Sequence, residues 1–494
     1  MHDAVIIGAG ISGSALAREL SKYKLSVAVL ERGSDVCAGA SRGNSATVHS
    51  GHDATYGTRK AYYNVAGNAL YDRMCADLGV PFVRNGMIVM AVTPEDLAEL
   101  TRLKINADRN GVPGVRVADR RELTALEGTF GKAVTGGLYA PSSGMVCPYS
   151  LVIALCENAA DNGVAFHLNT EVRHMEKTRS GYRITTNQDT FKTKYVFNCA
   201  GVHADDINDM VSGHTFRILP RKGAHLILDK KLSPHVSATI SQTPLPLPGG
   251  GHTKGMGIMP SVDGTVILGC DAHDVMDKDD VSTTAGGIGE ILSFFQENWR
   301  HLPISEAYPD FPRDMVIGAF AGIRPHPDTD DFIIGEAADA PGFYNIAGIE
   351  SPGITAAPAI ARELAKEIAE KYELEENVHF NPIRKHQKPF REMSEDERRK
   401  AIAQNPDYGK ILCRCEQVTK ADVLHAIRSS IGARTVNAVK MRTRAGMGRC
   451  QGGFCGPEIV NILSAELGIP ATGVTQSGEG SIILPYEIGM LGGS

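Results

Sequence analysis

Four cysteines near the carboxy-terminal end carry the sharpest chemical signal in the chain. Cys413 and Cys415 stand one residue apart in "ILCRCEQVT"; thirty-four residues later Cys450 and Cys455 stand four residues apart in "TRAGMGRCQGGFC". A thiolate is the metal-binding form of cysteine, and a [2Fe–2S] cluster takes two of them per iron. Gly446, Gly448, Gly452 and Gly453 interleave the second pair and leave room for backbone N–H groups to approach sulfur, which stabilises its negative charge. Structural zinc sites favour C-x2–4-C pairs, so the C-x-C half argues against zinc without excluding it. The other cysteines, Cys37, Cys75, Cys147, Cys156, Cys199 and Cys270, are scattered and read as small buried hydrophobes.

A second chemical unit opens the chain. Residues 4 to 31 read "AVIIGAGISGSALARELSKYKLSVAVLE": an apolar strand, a turn at Gly8, Gly10 and Gly13, a helix of 3.6-residue periodicity and a second strand ending in Glu31. The first glycine permits the tight turn, the second lets backbone approach a pyrophosphate, and the third lets helix and strand pack closely. The helix amino terminus then faces the phosphates. Glu31 falls eighteen residues after Gly13, where a carboxylate can accept hydrogen bonds from ribose hydroxyls. The whole unit predicts a dinucleotide, either FAD or NAD.

The elements that must position these groups need more than one core. A chain of 494 residues suits two or three domains of roughly 100–200 residues each. Hydrophobic residues at 42% and charged residues at 22% are ordinary globular usage and argue against disorder. The formal charge of −6 supplies no basic field, so nucleic acid is not an expected partner. No run approaches the roughly 20 apolar residues of a membrane span, and the opening apolar stretch breaks into glycines at once, unlike a signal peptide. With ten cysteines and no signal, the chain is expected in the cytoplasm, peripheral to the inner face of the membrane if a partner holds it there.

Further along, "KYVFNCAGVHADDI" runs an apolar strand into Ala200-Gly201, and "GFYNIAGIESPGITAAPAIARELAKEIAEKY" sets a Gly-rich turn before a long amphipathic helix starting around Ile354. The positive end of that helix suits the negatively charged edge of a reduced flavin. These stretches resemble the FAD-dependent D-amino-acid oxidase and glycerol-3-phosphate dehydrogenase superfamily, which favours FAD over NAD. The cysteine region resembles the bacterioferritin-associated ferredoxin-like [2Fe–2S] domain as fused to the anaerobic glycerol-3-phosphate dehydrogenase large subunit.

The resemblance implies an α/β fold with a Rossmann-like FAD-binding domain from residues 1–81, 146–218 and 319–372. Inserted into it, residues 82–145 and 219–318 would form a mixed, largely antiparallel β-rich substrate domain roofing the flavin. Residues 373–408, charged and poor in apolar side chains, read as a linker with a short helix, and 409–494 as a small helical [2Fe–2S] domain. For FAD, the resemblance implicates Gly8, Gly10, Gly13, Glu31, Arg32, Ser41, Asn44, Ser45, His49, Ser50 and Gly51. It adds Val172, Ala200, Gly201, Gly322 and Arg324, and the run Ser351, Pro352, Gly353, Ile354 and Thr355.

Cations at strand ends of the roof would grip a small anionic substrate: Lys254, matching a lysine of the dehydrogenase pattern, then Arg221, Lys222 and His225, and above all Arg324 in "FAGIRP", whose planar fork binds carboxylate or phosphate bidentately. A base must take the substrate's hydroxyl proton, with His49 and His225 as candidates. The expected reaction is oxidation of sn-glycerol 3-phosphate by hydride transfer to flavin, electrons leaving through the cluster to an electron-transfer subunit or a quinone. The same motifs resemble the L-2-hydroxyglutarate oxidase branch, and the scaffold also serves amine and imino-acid (opine-type) dehydrogenases. A redox-sensing or electron-transfer flavoprotein is the non-enzyme alternative.

Overall fold

The computed structural model describes residues 2–244 and 255–486. Its first sheet has eight strands, running Val172–Thr178, Gly181–Thr186, Thr190–Asn198, His2–Ile7, Val27–Leu30, Ala165–His167, with Phe343–Ala347 added on Thr190–Asn198 and Ile333–Glu336 pairing in turn with Phe343–Ala347. Strand His2–Ile7 is central and parallel to both neighbours, which is why "AVII" is continuously apolar: it is covered on both faces. Helices Ile11–Leu20, Pro148–Asp161 and Gly353–Lys371 cover one face through Leu16, Leu151 and Ile360, while Val5, Ile7, Met175 and Tyr182 fill the other.

The second sheet has nine strands and is antiparallel except where Thr239–Gln242 runs parallel to Met87–Ala91. That parallel pair joins two pieces of chain far apart in sequence. Its longest ladder sets Ile218–Leu228 against Val316–Pro327, matching Arg221 with Arg324, Gly223 with Gly322 and His225 with Phe320. Because side chains alternate along a strand, Ala224, Leu226 and Leu228 face a core built with Ile291, Phe295 and Trp299. Gly223, His225, Phe320, Gly322 and Arg324 therefore look the other way, toward the first sheet. The approach there is close: a Cβ on Gly322 would lie 2.0 Å from the Gly43 carbonyl oxygen.

The last unit is small and has its own core. A short ladder of Ile411–Cys413 with Val418–Thr419 precedes helices Lys420–Arg428, Val436–Thr443 and Gly456–Leu467, which close around Val423, Ile427, Val439, Ile459 and Leu463. The first helix starts on a capping box of Thr419 and Asp422.

Residues 373–408 contain the short helix Glu395–Gln404, stay largely exposed, and reach the first unit through two of their charges. Glu375 pairs with Lys24 at 2.6 Å and Arg384 with the buried Glu157 at 2.5 Å. The cysteine unit is fastened as firmly. Arg442 forks onto Asp35 at 2.6 and 2.8 Å, and Arg444 reaches both Asp263 at 2.7 Å and Glu416 at 2.8 Å. Lys230 completes the group by bonding Glu416 at 2.9 Å. The two arginine pairs lie out of water, with side-chain exposures of 5% for Arg442, 8% for Arg444 and 1% for Glu416, so removing one of their partners would cost about 3–5 kcal/mol. No helix among the described residues is long and apolar enough to cross a membrane.

Candidate active site and iron–sulfur centre

The glycine turn is a cradle that a side chain would fill. Gly8 has φ +101°, and a Cβ there would lie 2.5 Å from the Cys199 carbonyl oxygen; on Gly13 it would fall 2.0 Å from the Gly8 oxygen. Glu31 braces the turn, its carboxylate accepting the Ala9 N–H at 2.8 Å and the Gly33 N–H at 2.7 Å. Burial pushes its pKa up against the opposing pull of those donors. Ser41 accepts the Ile11 N–H at 2.9 Å, at the start of the helix behind Gly10. Ala200 and Gly201 end the neighbouring strand, and Val172 opens another in the same sheet. Arg32 turns outward to pair with Asp279. The cradle fits a dinucleotide whose pyrophosphate comes against bare backbone. Gly13→Ala, forced into overlap worth about 1–3 kcal/mol, should weaken FAD retention about tenfold or more, read as the 450 nm to 280 nm absorbance ratio after purification.

Residues 40–51 meet the start of the last long helix of the first sheet. Asn44 donates to the Ser41 carbonyl at 2.7 Å and accepts the Ala46 N–H at 2.9 Å, while the Ser45 carbonyl accepts Thr47 Oγ1 at 3.3 Å. Buried His49 donates its N–H to Thr355 Oγ1 at 3.0 Å, and its Nε2 lies 3.2 Å from Ser351 Oγ. Its carbonyl accepts the side-chain amides of Asn64 and Asn68, each at 2.9 Å. Ser50 pairs with His52 at 2.7 Å, and Gly51 turns at φ +107°. Pro352 precedes helix Gly353–Lys371, and the Ile354 carbonyl accepts the Tyr71 hydroxyl. Residues about 300 positions apart are thus brought to one place.

Beside them is a network that no sequence spacing announces. Glu350 accepts Lys60 Nζ at 2.7 Å and faces His326 Nδ1 at 2.9 Å. Burial alone would push its carboxyl up, but His326 and Lys60 outweigh it and hold it down to about 2.

On the roof, Arg324 donates Nη2 to Cys270 Sγ at 2.7 Å and to the Asp271 carbonyl at 3.1 Å, and its buried Nη1 has no hydrogen-bond partner among the described residues. His225 is 2% exposed and stacks on Phe320 with ring centres 4.8 Å apart. Arg221 lies directly across the ladder from Arg324 but is held by Asp274 at 2.7 Å, while Lys222 alternates to the other side of the strand and is held by Asp280 at 2.6 Å. Lys254 lies outside the described residues. Cys270 corrects the sequence reading. It is no inert hydrophobe: burial pushes its thiol up, yet Arg324 and His225 together bring it down to about 6. Its signal was invisible because Arg324 is 54 residues away.

The four carboxy-terminal cysteines form two pairs. Cys415 and Cys450 have their sulfurs 3.9 Å apart, and Cys413 faces Cys455. No three of the four sulfurs lie within 4.8 Å of one another. A single tetrahedral zinc with bonds of about 2.3 Å would hold all four within about 3.8 Å of each other, so the arrangement fits two metals with two thiolates each. Backbone N–H groups of Gly452 and Phe454 point to Cys450 sulfur, while the Gly453 N–H donates to the Cys450 carbonyl at 3.0 Å. A Cβ on Gly448 would lie 2.2 Å from the Cys415 Cβ, so that glycine is required for closure. The loop touches both other units: Met447 meets the Tyr149 hydroxyl at 3.5 Å, and Arg449 pairs with Asp229 at 3.0 Å.

The model of the FAD-dependent oxidoreductase (DAO) family matches residues 3–367, and that of the BFD-like [2Fe–2S] binding domain matches residues 411–465. A glycerol 3-phosphate dehydrogenase of Caloramator mitchellensis is 43% identical over 487 residues, covering 98% of each chain. An L-2-hydroxyglutarate dehydrogenase of Arabidopsis thaliana is 26% identical, over 74% of this chain and 82% of the relative. Among solved structures, the FAD-bound L-alpha-glycerophosphate oxidase of Mycoplasma pneumoniae superposes with a TM-score of 0.70 at 27% identity, covering 77% of this chain and 98% of that one. The cradle, the paired sulfurs and these likenesses agree: the chain belongs to the FAD-dependent oxidoreductases of the DAO family and is a dehydrogenase that also carries a BFD-like [2Fe–2S] domain.

Proposed function

We propose that the enzyme oxidises sn-glycerol 3-phosphate to dihydroxyacetone phosphate and releases the electrons through its carboxy-terminal domain. The observation that carries this reading is Arg324: a guanidinium on the roof face with a buried, unpartnered Nη1, in a chain similar along its full length to a glycerol 3-phosphate dehydrogenase. FAD held over the Gly8–Gly13 cradle would supply a two-electron hydride acceptor, and a [2Fe–2S] cluster held by Cys413, Cys415, Cys450 and Cys455 would supply one-electron transfer. Arg324 binds the phosphate and fixes which carbon faces the flavin, since its fork holds two oxygens in one plane. His49 takes the hydroxyl proton, held in place by Thr355 and Ser351. His225 is less suited to that role because it is sealed under Phe320. Glu350, fixed between Lys60 and His326, holds the loop that carries Ser351. Met447 against Tyr149 supports a route from the flavin side to Cys450, with the final acceptor an electron-transfer subunit or a quinone.

A carboxylate would suit Arg324 equally well, which keeps a 2-hydroxy acid as the second reading. Mixing oxidised enzyme anaerobically with each substrate decides between them. Glycerol 3-phosphate should bleach the 450 nm band in a single turnover, with L-2-hydroxyglutarate and proline slower by about a hundredfold or more, the margin expected when a site's polar groups are left unmatched. Fast bleaching by the hydroxy acid alone would reverse the order.

A further inference from the structure

The Cys270–Arg324 contact raises a problem of charge. Arg324 cannot shed its proton, and a half-buried cation whose Nη1 is shut away from water is stabilised by a counter-charge. With the anion site empty, the nearest candidate is the Cys270 sulfur, 2.7 Å from Nη2. His225 flanks it, 2% exposed, and with Arg324 favours the charged form of the sulfur. The other charged or titratable groups around the pair are Arg221, across the ladder from Arg324 and neutralised by Asp274 at 2.7 Å, Asp271 beside the cysteine, which accepts the Ala224 N–H, and behind it His273, 3.5 Å from Asp271 and 3.0 Å from Glu290. None of these supplies a second cation to the sulfur.

We propose that Cys270 is the resting counter-ion of the anion site: a thiolate that holds Arg324 while the pocket is empty and is displaced, taking up one proton, when the anionic end of the substrate binds. Two negative groups cannot share one half-buried guanidinium at no cost, and the one that can protonate does so. The step is a protonation by solvent, S⁻ plus H⁺ giving SH, and no electrons move. The arrangement also sets specificity. A neutral polyol such as glycerol offers nothing to replace the ion pair it would have to break, so only an anionic substrate opens the site.

The inference rests on Arg324 being the substrate's anion grip, and the experiment separates the two ideas. Sulfate is a suitable probe because it stays a dianion throughout the range used. Its binding to the oxidised holoenzyme is followed by the flavin spectrum, and protons are counted by calorimetry in buffers of different ionisation heat. A thiol titrating near 6 predicts uptake of about 0.9 proton at pH 7, falling to about 0.1 at pH 5. Cys270→Ser should abolish the uptake at pH 7 and bind sulfate about tenfold tighter, the factor by which protonating that thiol opposes binding there. Cys270→Ala should do the same for the proton count, and Cys270→Asp should weaken sulfate because a carboxylate does not leave. If sulfate fails to compete with glycerol 3-phosphate, or Arg324→Ala binds it unchanged, the grip itself is misassigned. If sulfate binds through Arg324 yet wild-type enzyme takes up no proton at pH 7, or Cys270→Ser takes up as many, the counter-ion role is overturned.

Discussion

In a Cys450→Ser chain the visible absorption of the [2Fe–2S] cluster and its paramagnetic signal after reduction should disappear, while flavin stays bound and substrate still bleaches it once. The expectation follows from the cysteine loop's having a core of its own, although Ile431 and Met441 of the same unit pack against the first core. Cys450 faces Cys415 at 3.9 Å and belongs to a unit packed around Val439, Ile459 and Leu463, whereas the glycine cradle rests on Leu16, Leu151 and Ile360. Losing a group that merely hydrogen-bonds a metal ligand lowers metal affinity by about 10–100-fold, so losing the ligand itself should exceed that range. Multiple turnover with a physiological acceptor should then fall below about one hundredth of wild type, with single-turnover bleaching within about twofold. Loss of the first half-reaction as well would mean that the cysteine loop, through Met447 and Arg449, shapes the active site. Zinc without iron in protein isolated free of oxygen would end the electron-exit idea.

Arg324→Ala should reduce kcat/KM by about ten- to a hundredfold, the equivalent of a charge-assisted contact of about 1.5–3 kcal/mol, with flavin content unchanged. Nη1 has no hydrogen-bond partner among the described residues, so the change removes only the contacts of Nη2 with Cys270 and Asp271 and the grip on substrate. Arg324→Lys should recover part of the loss, because it restores charge without the planar fork. Steady-state kinetics with glycerol 3-phosphate provides the measurement. Unchanged kinetics with a lowered melting temperature would assign Arg324 to holding the roof together instead.

What could be read from the sequence was what is local. The Gly8–Glu31 unit and the cysteine spacings each lie within a few dozen residues, so strand, turn and helix periodicities and ligand intervals carry them directly. The helix at Gly353 was legible for the same reason, one residue from the expected start. What was not legible is set by contacts between distant strands. Cys270 looks like any scattered cysteine until the register places Gly269 beside His225 and brings Arg324 across from Arg221. Lys60, His326 and Glu350 come from three separate elements, and their charges resemble surface composition until they meet. The charged stretch after Tyr372 misleads similarly, because polarity alone does not distinguish a solvated tether from one pinned by Lys24 and Glu157.

The fastening of the cysteine unit by Arg442, Arg444 and Lys230 decides what kind of conductor it is. A domain on a free tether can swing between donor and acceptor like a shuttle, and its span varies from one excursion to the next. Here the buried charges of Asp35, Asp263 and Glu416 fix the span when the chain folds. On the proposed electron route the unit would be a stationary terminal, and an external carrier would have to travel to it. Cys415 and the 87%-exposed Phe454 mark where that carrier would arrive. The same fixity makes the unit hard to excise: a shortened chain ending before Ile411 would leave Asp35 and Asp263 facing outward without Arg442 and Arg444, so a trimmed version would need those carboxylates neutralised along with the cut.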